Sequence, residues 1–263
     1  MITIQKYVRP ASLEEAYQRN QKNNNLILGG MLWTKMMTRS IDTAIDLSGL
    51  GLDTIEETEA EFSIGAMGTL RRLEQHEGLN AYTCNAVKHA VQDIVGVQFR
   101  NLATVGGSLW GRFGFSDVLT AFLAMDAYVQ LYKGGTVPIA QFARMKQDRD
   151  ILVRVIVKKT PAVFAYSAVR GQSTDFPMLA CAAAKIGGEY RLCVGARPAK
   201  AMLLTDETHI LDDGLTEESV QQFADWACDR IPTGSNTRGS AAYRTRLLRT
   251  LTARLLHTIK EAQ

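Results

Sequence analysis

The sequence predicts an α+β chain in which two small α/β subdomains precede a domain that has a small antiparallel sheet and helices. Short strand-like runs alternate with helical patterns up to about residue 160. Beyond that point, apolar runs separated by turn residues favour antiparallel strands, and the chain closes with amphipathic helical patterns. We therefore expect domains at residues 1–53, 54–160 and 161–263.

The first subdomain is predicted from a helix start and two buried strands. Ser12-Leu-Glu-Glu15 has the Ser-x-x-Glu form of a capping box, which opens a helix. Asn23–Asn25 ends this helix, and Leu26–Leu28 reads as a short buried strand. Ala44–Leu47 supplies the next strand. These elements form a β-α-β-like unit.

The second subdomain begins with a predicted hairpin. Ile55–Thr58 and Phe62–Ala66 are strand-like runs on either side of a polar turn. Thr69 is placed to cap a short helix, and a longer helix is expected over residues 79–95. A further helix and three further strand or turn segments follow, at 117–125, 127–132, 134–135 and 151–157.

The carboxy-terminal domain is expected to begin after Lys158-Lys-Thr-Pro161. Strands are predicted at 163–169, 178–186, 191–196 and 201–204, and helices at 217–230 and 241–260. In the last helix six apolar residues recur with helical spacing, which indicates a core-facing stripe more than a partner interface. They are Leu247, Leu248, Leu251, Leu255, Leu256 and Ile259.

Composition excludes several classes of protein. A net charge of +3 without any Lys/Arg block argues against a nucleic-acid or membrane surface. No signal peptide and no spanning apolar run is recognised, so we expect a cytoplasmic protein with no membrane span. The four cysteines and four histidines are dispersed, which argues against a metal or iron–sulfur site. Phosphate-loop, Rossmann and nucleophile-elbow motifs are missing, so no catalytic residues are assigned.

Two glycine-containing segments are the candidates for a ligand-binding site. Leu26-Ile-Leu-Gly-Gly30 and Gln98–Trp110 each combine an apolar run with consecutive glycines. Glycines allow backbone amides to approach an anionic group closely, and amides supply partial positive charge without a mobile side chain. Either segment alone is more typical of an ordinary turn. Together they predict a clamp on a diphosphate.

These residues resemble the FAD-binding subunits of molybdenum hydroxylases, the family of the xanthine dehydrogenase and carbon monoxide dehydrogenase flavoproteins. Leu28-Gly29-Gly30 resembles the first flavin loop of that family. Arg100-Asn-Leu-Ala-Thr-Val-Gly-Gly107 matches the second loop, including its distance to Asp117. Leu119–Tyr132 is similar to the helix and strand that follow. Arg238–Arg244 resembles the opening of the terminal helix, so the resemblance extends over essentially the whole chain.

The resemblance implies two α/β subdomains of the FAD-binding, PCMH-like type and a carboxy-terminal α+β flavoprotein domain. It also implies an oxidoreductase subunit that transfers electrons within a heteromeric complex. A separate molybdopterin-binding large subunit would oxidise the organic substrate. A [2Fe–2S] subunit would pass electrons to FAD, and NAD or another acceptor would receive them.

The resemblance assigns cofactor-binding roles residue by residue. The amides on one side of the diphosphate would be those of Gly29, Gly30, Met31, Leu32 and Trp33. The other side would be formed by Thr104, Gly107 and Ser108. Ile94 and Ala103 match positions along the adenosine half, Asp117 matches an acceptor for cofactor hydroxyls, and Leu152 and Tyr166 match positions near the flavin ring. Leu26, Leu28 and Gly111 complete the set.

Departures from the family pattern keep other interpretations open. Met31, Gly111 and Ser167 stand where many relatives have polar or basic side chains. One alternative is therefore a scaffold subunit of the same complex that lacks FAD, and another is an independent flavin oxidoreductase. Two single residues also have simpler interpretations. Asp117 fits an acidic residue in the first turn of a helix, and Tyr166 fits a residue of the apolar core.

Overall fold

The computed structural model describes residues 1–263, which divide into two compact units. Unit 1 comprises Met1–Arg72, Val97–Gly111 and Ala127–Val157. Unit 2 comprises Leu73–Gly96, Arg112–Asp126 and Lys158–Gln263. This division does not follow the three expected domains, whose boundaries stay a prediction.

Twelve strands and ten α-helices make up the chain. The strands are β1 (Thr3–Val8), β2 (Asn25–Leu28), β3 (Ser40–Asp46), β4 (Ile55–Glu57), β5 (Glu61–Gly65), β6 (Ala127–Leu131), β7 (Gly135–Pro138), β8 (Leu152–Lys158), β9 (Ala162–Arg170), β10 (Pro177–Ile186), β11 (Glu189–Gly195) and β12 (Met202–Thr205). The helices are α1 (Leu13–Asn20), α2 (Leu70–Gln75), α3 (Glu77–Tyr82), α4 (Ala86–Val91), α5 (Val97–Arg100), α6 (Val105–Trp110), α7 (Asp117–Leu123), α8 (Ile139–Phe142), α9 (Glu217–Arg230) and α10 (Ala241–Glu261). A short 3-10 turn covers Thr34–Met36. None of the helices is both long and apolar enough to span a membrane.

Unit 1 contains two sheets. The first is parallel, with strand order β1-β3-β2, and the Ser12 hydroxyl caps α1 beside it by accepting from the Glu15 amide. The second has strand order β4-β5-β8-β6-β7 and includes the predicted β4–β5 hairpin. Buried Ala16, Ile45 and Val153 belong to one apolar cluster, so α1 and strands of both sheets share a core.

Unit 2 is built on the antiparallel sheet β12-β11-β10-β9, as predicted. Helices α9 and α10 pack together, and α10 lies along β9 and β10. The expected leucine stripe of α10 is buried with this sheet, apart from Leu247, which is only partly buried. On strand β10 alternate residues such as Leu179 and Cys181 join the α10 core. Their neighbours Ala180 and Ala182 are also buried, and α7 packs against β10 as well.

The helix expected over residues 79–95 is wrong as a single element. The structure has α3 and α4 there, with Cys84 at φ +51° and Asn85 at φ +62° between them. Left-handed backbone ends an α-helix because the next residues cannot continue its hydrogen-bond ladder. The apolar period alone does not reveal such a break.

The second glycine segment also differs from its expected form. It was expected to be a loop, but Gly106 and Gly107 lie inside α6, whose first turn is capped by the Thr104 hydroxyl. A Cβ at Gly106 would lie 2.8 Å from the Ala66 oxygen. Glycine is needed there because α6 starts directly against the backbone that follows β5.

Candidate functional site

The two glycine segments meet within unit 1. A Cβ added to Gly30 would lie 1.8 Å from the carbonyl oxygen of Leu102. One added to Gly29 would lie 2.8 Å from the Thr104 hydroxyl oxygen and 3.9 Å from the Cα of Gly107. Any side chain at Gly30 would collide with backbone, so this approach requires glycine. The two glycine-containing segments are therefore direct neighbours, as their sequences predict.

The first segment offers unused amide donors. After β2 the chain turns through Gly29 and Gly30 to Met31, which has a left-handed φ of +57°. The N–H groups of Gly30, Met31 and Leu32 donate to no other group of the chain. Three successive free amides beside a second segment suit an anionic ligand, because each contributes partial positive charge. Trp33 follows, and this residue is 46% exposed.

The amides at the start of α6 in the second segment are already bonded to other groups of the protein. The Val105 amide donates to Gly68 O at 2.8 Å, and the Gly106 amide donates to Ala66 O at 2.8 Å. The Gly107 amide donates to the Thr104 hydroxyl at 3.1 Å. The Ser108 amide bonds the Thr104 carbonyl at 3.0 Å. Instead of amides, this segment offers the hydrogen of the Thr104 hydroxyl, whose oxygen already accepts from Gly107.

The other unit 1 positions lie on β2 and β8 and on either side of α6. Leu26 and Leu28 lie on β2, paired with Ala44 and Asp46 of β3. Ala103 is buried next to Gly30, whose added Cβ would lie 3.1 Å from the Ala103 nitrogen. Gly111 ends α6, and Leu152 is a buried first residue of β8. Of these, only Ala103 is shown in contact with the glycine pair.

The remaining positions belong to unit 2, where Asp117 is the central group. Asp117 is 5% exposed and begins α7 after the capping residue Ser116. Its Oδ1 accepts from the Tyr166 hydroxyl and, at 2.7 Å, from Arg170 Nη2. The two predicted residues Asp117 and Tyr166 are therefore hydrogen-bonded to each other. Ile94, which precedes α5, is partly buried.

Burial governs the ionisation of this cluster. It raises the pKa of the Asp117 carboxyl, while the Arg170 guanidinium and the Tyr166 hydrogen bond oppose that rise. Burial also raises the pKa of the Tyr166 hydroxyl, and the neighbouring Asp117 charge adds to this effect. The phenol is thus a neutral donor to the carboxylate. Asp117 is more than a first-turn helix acid, because two side chains of β9 bind it.

Family comparisons identify the chain. The model of the FAD-binding domain in molybdopterin dehydrogenase matches residues 2–159. The chain belongs to this family. The model of the carbon monoxide dehydrogenase flavoprotein carboxy-terminal domain matches residues 164–259. The resemblance inferred from the glycine segments is therefore confirmed, and FAD is the cofactor that defines the family.

Individual relatives cover almost the full chain. The uncharacterized protein YgfM of Escherichia coli strain K12 is 26% identical over 265 residues, covering 98% of both chains. The glyceraldehyde dehydrogenase medium chain of Sulfolobus acidocaldarius is 24% identical over 269 residues, covering 94% of this chain and 95% of its own.

Solved structures show the same fold. A chain of carbon monoxide dehydrogenase from Hydrogenophaga pseudoflava superposes with a TM-score of 0.86 at 23% identity, over 97% of both chains. A chain of quinoline 2-oxidoreductase from Pseudomonas putida 86 has a TM-score of 0.85 at 18% identity, over 100% of this chain and 98% of its own. The predicted α+β flavoprotein architecture is confirmed.

The residues present fit the diphosphate of FAD. The free amides of Gly30–Leu32 and the Thr104 hydroxyl are donors that an anionic diphosphate can accept from. Sequence reasoning missed the left-handed Met31 and the pairing of Arg170 with Asp117. Neither has a local sequence signal, since one is a backbone conformation and the other joins residues 53 positions apart.

Proposed function

We propose that this chain is the FAD-binding electron-transfer subunit of a molybdopterin-dependent hydroxylase or dehydrogenase complex. The observation that carries the proposal is the contact between Gly29-Gly30 and Leu102–Thr104, with free amides on the first segment. A backbone-lined approach of this kind supports the binding of a dinucleotide diphosphate. Membership of the flavoprotein family names FAD as that dinucleotide.

In this proposal the chain binds and orients the cofactor and contributes no acid–base catalyst. Gly30, Met31 and Leu32 donate amide hydrogen bonds to the diphosphate, and Thr104 adds its hydroxyl. FAD, when bound, supplies storage for two electrons and their release to an acceptor.

The partners in this proposal follow from the family. A [2Fe–2S] subunit delivers electrons, and a molybdopterin-binding large subunit oxidises the organic substrate. NAD or another acceptor takes the electrons. The medium-chain name of the Sulfolobus relative and the dehydrogenase names of the structural neighbours support assembly with other chains. The cytoplasmic location stays a prediction.

A second candidate is a scaffold subunit of the same complex that binds no FAD. Met31 favours it, because an apolar β-unbranched side chain occupies a left-handed position at the diphosphate loop. That position suits glycine or asparagine better than methionine, and the side chain offers no hydrogen bond to a ligand. The free amides on either side of its Cα are unaffected by the side chain, which is why we rank this candidate second.

Reconstitution with FAD separates the two candidates. The purified chain is incubated with excess FAD, freed of unbound cofactor, and its visible spectrum is recorded. We expect oxidised-flavin bands at about 370 and 450 nm, since the protein retains the cofactor non-covalently. A chain that is folded by circular dichroism but shows no such bands contradicts the proposal and supports the scaffold candidate.

A further inference from the structure

Three exposed phenylalanines of unit 2 form one cluster of rings. The Phe113 and Phe115 rings are stacked, with their centroids 5.2 Å apart and an interplanar angle of 12°. The Phe176 ring, from the connection between β9 and β10, meets the Phe115 ring edge-on at 5.0 Å. Phe113 is 47% exposed, and the other two are each 36% exposed. Single exposed apolar residues are normal, but three in mutual contact form a patch that is typical of a binding surface.

The backbone between the two stacked rings is held tightly. Gly114 lies so close to the connection between β11 and β12 that an added Cβ would be 1.9 Å from the Ala199 oxygen. The Gly114 carbonyl also accepts from the Ala196 amide at 2.6 Å. The Phe113–Phe115 stack is therefore pre-organised, and a ligand that binds to it has little side-chain or loop ordering to impose.

One cation beside the cluster has no partner. The Arg238 guanidinium lies 5.1 Å from the centroid of the Phe176 ring, and the Asp175 carboxylate pairs with it at 3.1 Å from Nη2 to Oδ1. Lys200, in contrast, is exposed, and its ammonium group makes no hydrogen bond or ion pair. The Lys200 Cα would lie 3.1 Å from a Cβ added to Gly114. The surroundings of the rings are therefore positive, which favours an anionic ligand.

The size of the exposed patch favours a small molecule over a protein. Since a phenylalanine offers about 200 Å², the exposed parts of the three residues amount to roughly 240 Å². A stable protein interface takes about 800 Å² from each partner. One flat ring system, stacked on an aromatic side chain, covers an area of the observed size.

We propose that this cluster binds a planar aromatic molecule that carries an anionic group. The ring system of the ligand extends the stack on the face of Phe113 that Phe115 does not cover, and Lys200 pairs with the anionic group. Nucleotides and aromatic carboxylates or sulfonates share this chemistry. The inference goes beyond the proposed function and does not depend on it, because all residues that it uses lie in unit 2 and none binds the diphosphate.

Two probes distinguish the possible sources of the ligand. AMP represents nucleotides, and anthraquinone-2-sulfonate represents aromatic acids. Each is titrated into the full chain without FAD and followed by saturation-transfer NMR of the ligand protons. We expect a dissociation constant of about 1 mM or lower for at least one of them, as suits one ring system on an exposed surface. Binding of either probe supports the proposal and names its source, whereas binding of neither overturns it.

Variants at the stack show whether the ring is the binding element. Phe113→Leu keeps an apolar side chain but removes the ring, and we expect binding to weaken by about tenfold. Tyr7→Leu removes an exposed ring of β1, in unit 1, and should leave the affinity unchanged. Equal affinity in Phe113→Leu and the unchanged protein overturns the proposal. Circular dichroism and thermal midpoints establish that both variants are folded.

Variants at the cation use salt as a second measurement. The affinity of the unchanged protein should fall as the salt concentration rises, because salt screens an exposed charge pair. Lys200→Gln should bind severalfold more weakly at low salt and depend less on salt. Lys22→Gln, at another exposed lysine, should match the unchanged protein. Should Phe113→Leu not fold, an unaltered salt dependence in Lys200→Gln overturns the proposal.

Three controls detect a different occupant. Inorganic phosphate that binds as well as AMP excludes a role for the rings. Sedimentation that shows a dimer of the unchanged chain and a monomer of Phe113→Leu assigns the cluster to a second copy. A chain loaded with FAD that no longer binds either probe assigns the cluster to the cofactor. Each of these results overturns the proposal. If the chain retains no FAD, the proposed function fails, and the titrations without FAD still decide this inference.

Discussion

Where the two glycine segments meet, the space available determines which residue can stand at position 30. Gly30 has no room for a side chain because the Leu102 carbonyl occupies the position where a Cβ would be. Met31, one residue later, adopts the left-handed backbone that would suit glycine. Glycine is therefore present at position 30, where the close contact requires it. It is absent at position 31, where the backbone conformation would favour it.

Replacing Gly30 tests the contact directly. Gly30→Ala is expected to lower the free energy of unfolding by about 1–3 kcal/mol, as overpacking does, and to abolish FAD retention because the loops must separate. Thermal unfolding and the flavin spectrum measure the two effects. Gly171→Ala is the control, since a Cβ there meets nothing within 4 Å and its φ is ordinary. Equal behaviour of both variants contradicts the contact.

At the scale of elements, one buried arginine holds the start of helix α10 against the neighbouring elements. Helix α10 begins at Ala241 after the capping residue Ser240, and Arg244 in its first turn is fully buried. Arg244 donates to Met178 O at 2.7 Å, to Asn236 Oδ1 at 2.6 Å, and to the carbonyls of Gly234 and Gly239. One side chain thus joins α10, β10 and the preceding turn.

Loss of this side chain should destabilise the carboxy-terminal elements strongly. Arg244→Met leaves several buried acceptors without a donor, and each such group costs about 1–3 kcal/mol. We expect the free energy of unfolding in urea to fall by more than about 3 kcal/mol. Arg246→Met, an exposed position on the same helix, should change it by less than about 0.5 kcal/mol. Similar values for the two variants refute the role given to Arg244.

Helix α1 is joined to the end of β6 by a pH-dependent contact. The Glu14 carboxylate accepts from the Tyr132 hydroxyl and, at 3.1 Å, from Lys133 Nζ. The Tyr132 hydrogen bond, followed by that of Lys133, lowers the pKa of Glu14 from 4.5 to about 2. A carboxyl whose pKa is lower in the folded state stabilises it above the unfolded value and loses this effect as pH falls through the folded value.

Glu14→Gln is therefore expected to be less stable than the unchanged protein at neutral pH. The difference should shrink as pH falls from about 4.5 towards about 2, because the unchanged carboxyl is then protonated as well. Urea unfolding midpoints of both proteins over this pH range measure the difference in stability. Glu59→Gln, in an exposed turn, should match the unchanged protein throughout. A Glu14→Gln difference that does not vary with pH contradicts the shifted pKa.

At the scale of the whole molecule, the chain enters and leaves each unit several times. Unit 2 combines the carboxy-terminal sheet with Leu73–Gly96 and Arg112–Asp126, so α4 packs against β9 and α7 against β10. Contact is close, since a Cβ at Gly195 of β11 would lie 2.1 Å from the Thr120 hydroxyl. The Tyr82 hydroxyl also bonds the carbonyls of Lys158 and Thr160, at 2.8 and 3.0 Å.

A cut at the expected domain boundary should not separate the chain into free pieces. With a protease site placed between Lys159 and Thr160, we expect both fragments to elute together in gel filtration after cleavage. The buried faces of β9 and β10 hold α4 and α7, which lie on the other fragment. The two fragments should dissociate only when denaturant is added. Separation under native conditions contradicts the division of the chain into these two units.

Local patterns in the sequence predicted most elements of the fold. The Ser12 capping box, the β4–β5 hairpin, the four-stranded sheet and helices α9 and α10 all depend on contacts among nearby residues or on simple apolar periods. The break between α3 and α4 was missed because left-handed residues at Cys84 and Asn85 have no apolar signature.

The sequence by itself determined the family, the cofactor class and the positions of the two glycine segments. Only the tertiary structure decided which donors those segments offer, because Gly68 and Ala66 lie far from α6 in sequence and take its first amides. The same holds for Asp117, whose partner Arg170 follows 53 residues later. Hydrogen bonding and burial depend on distances in space, and no local pattern encodes them.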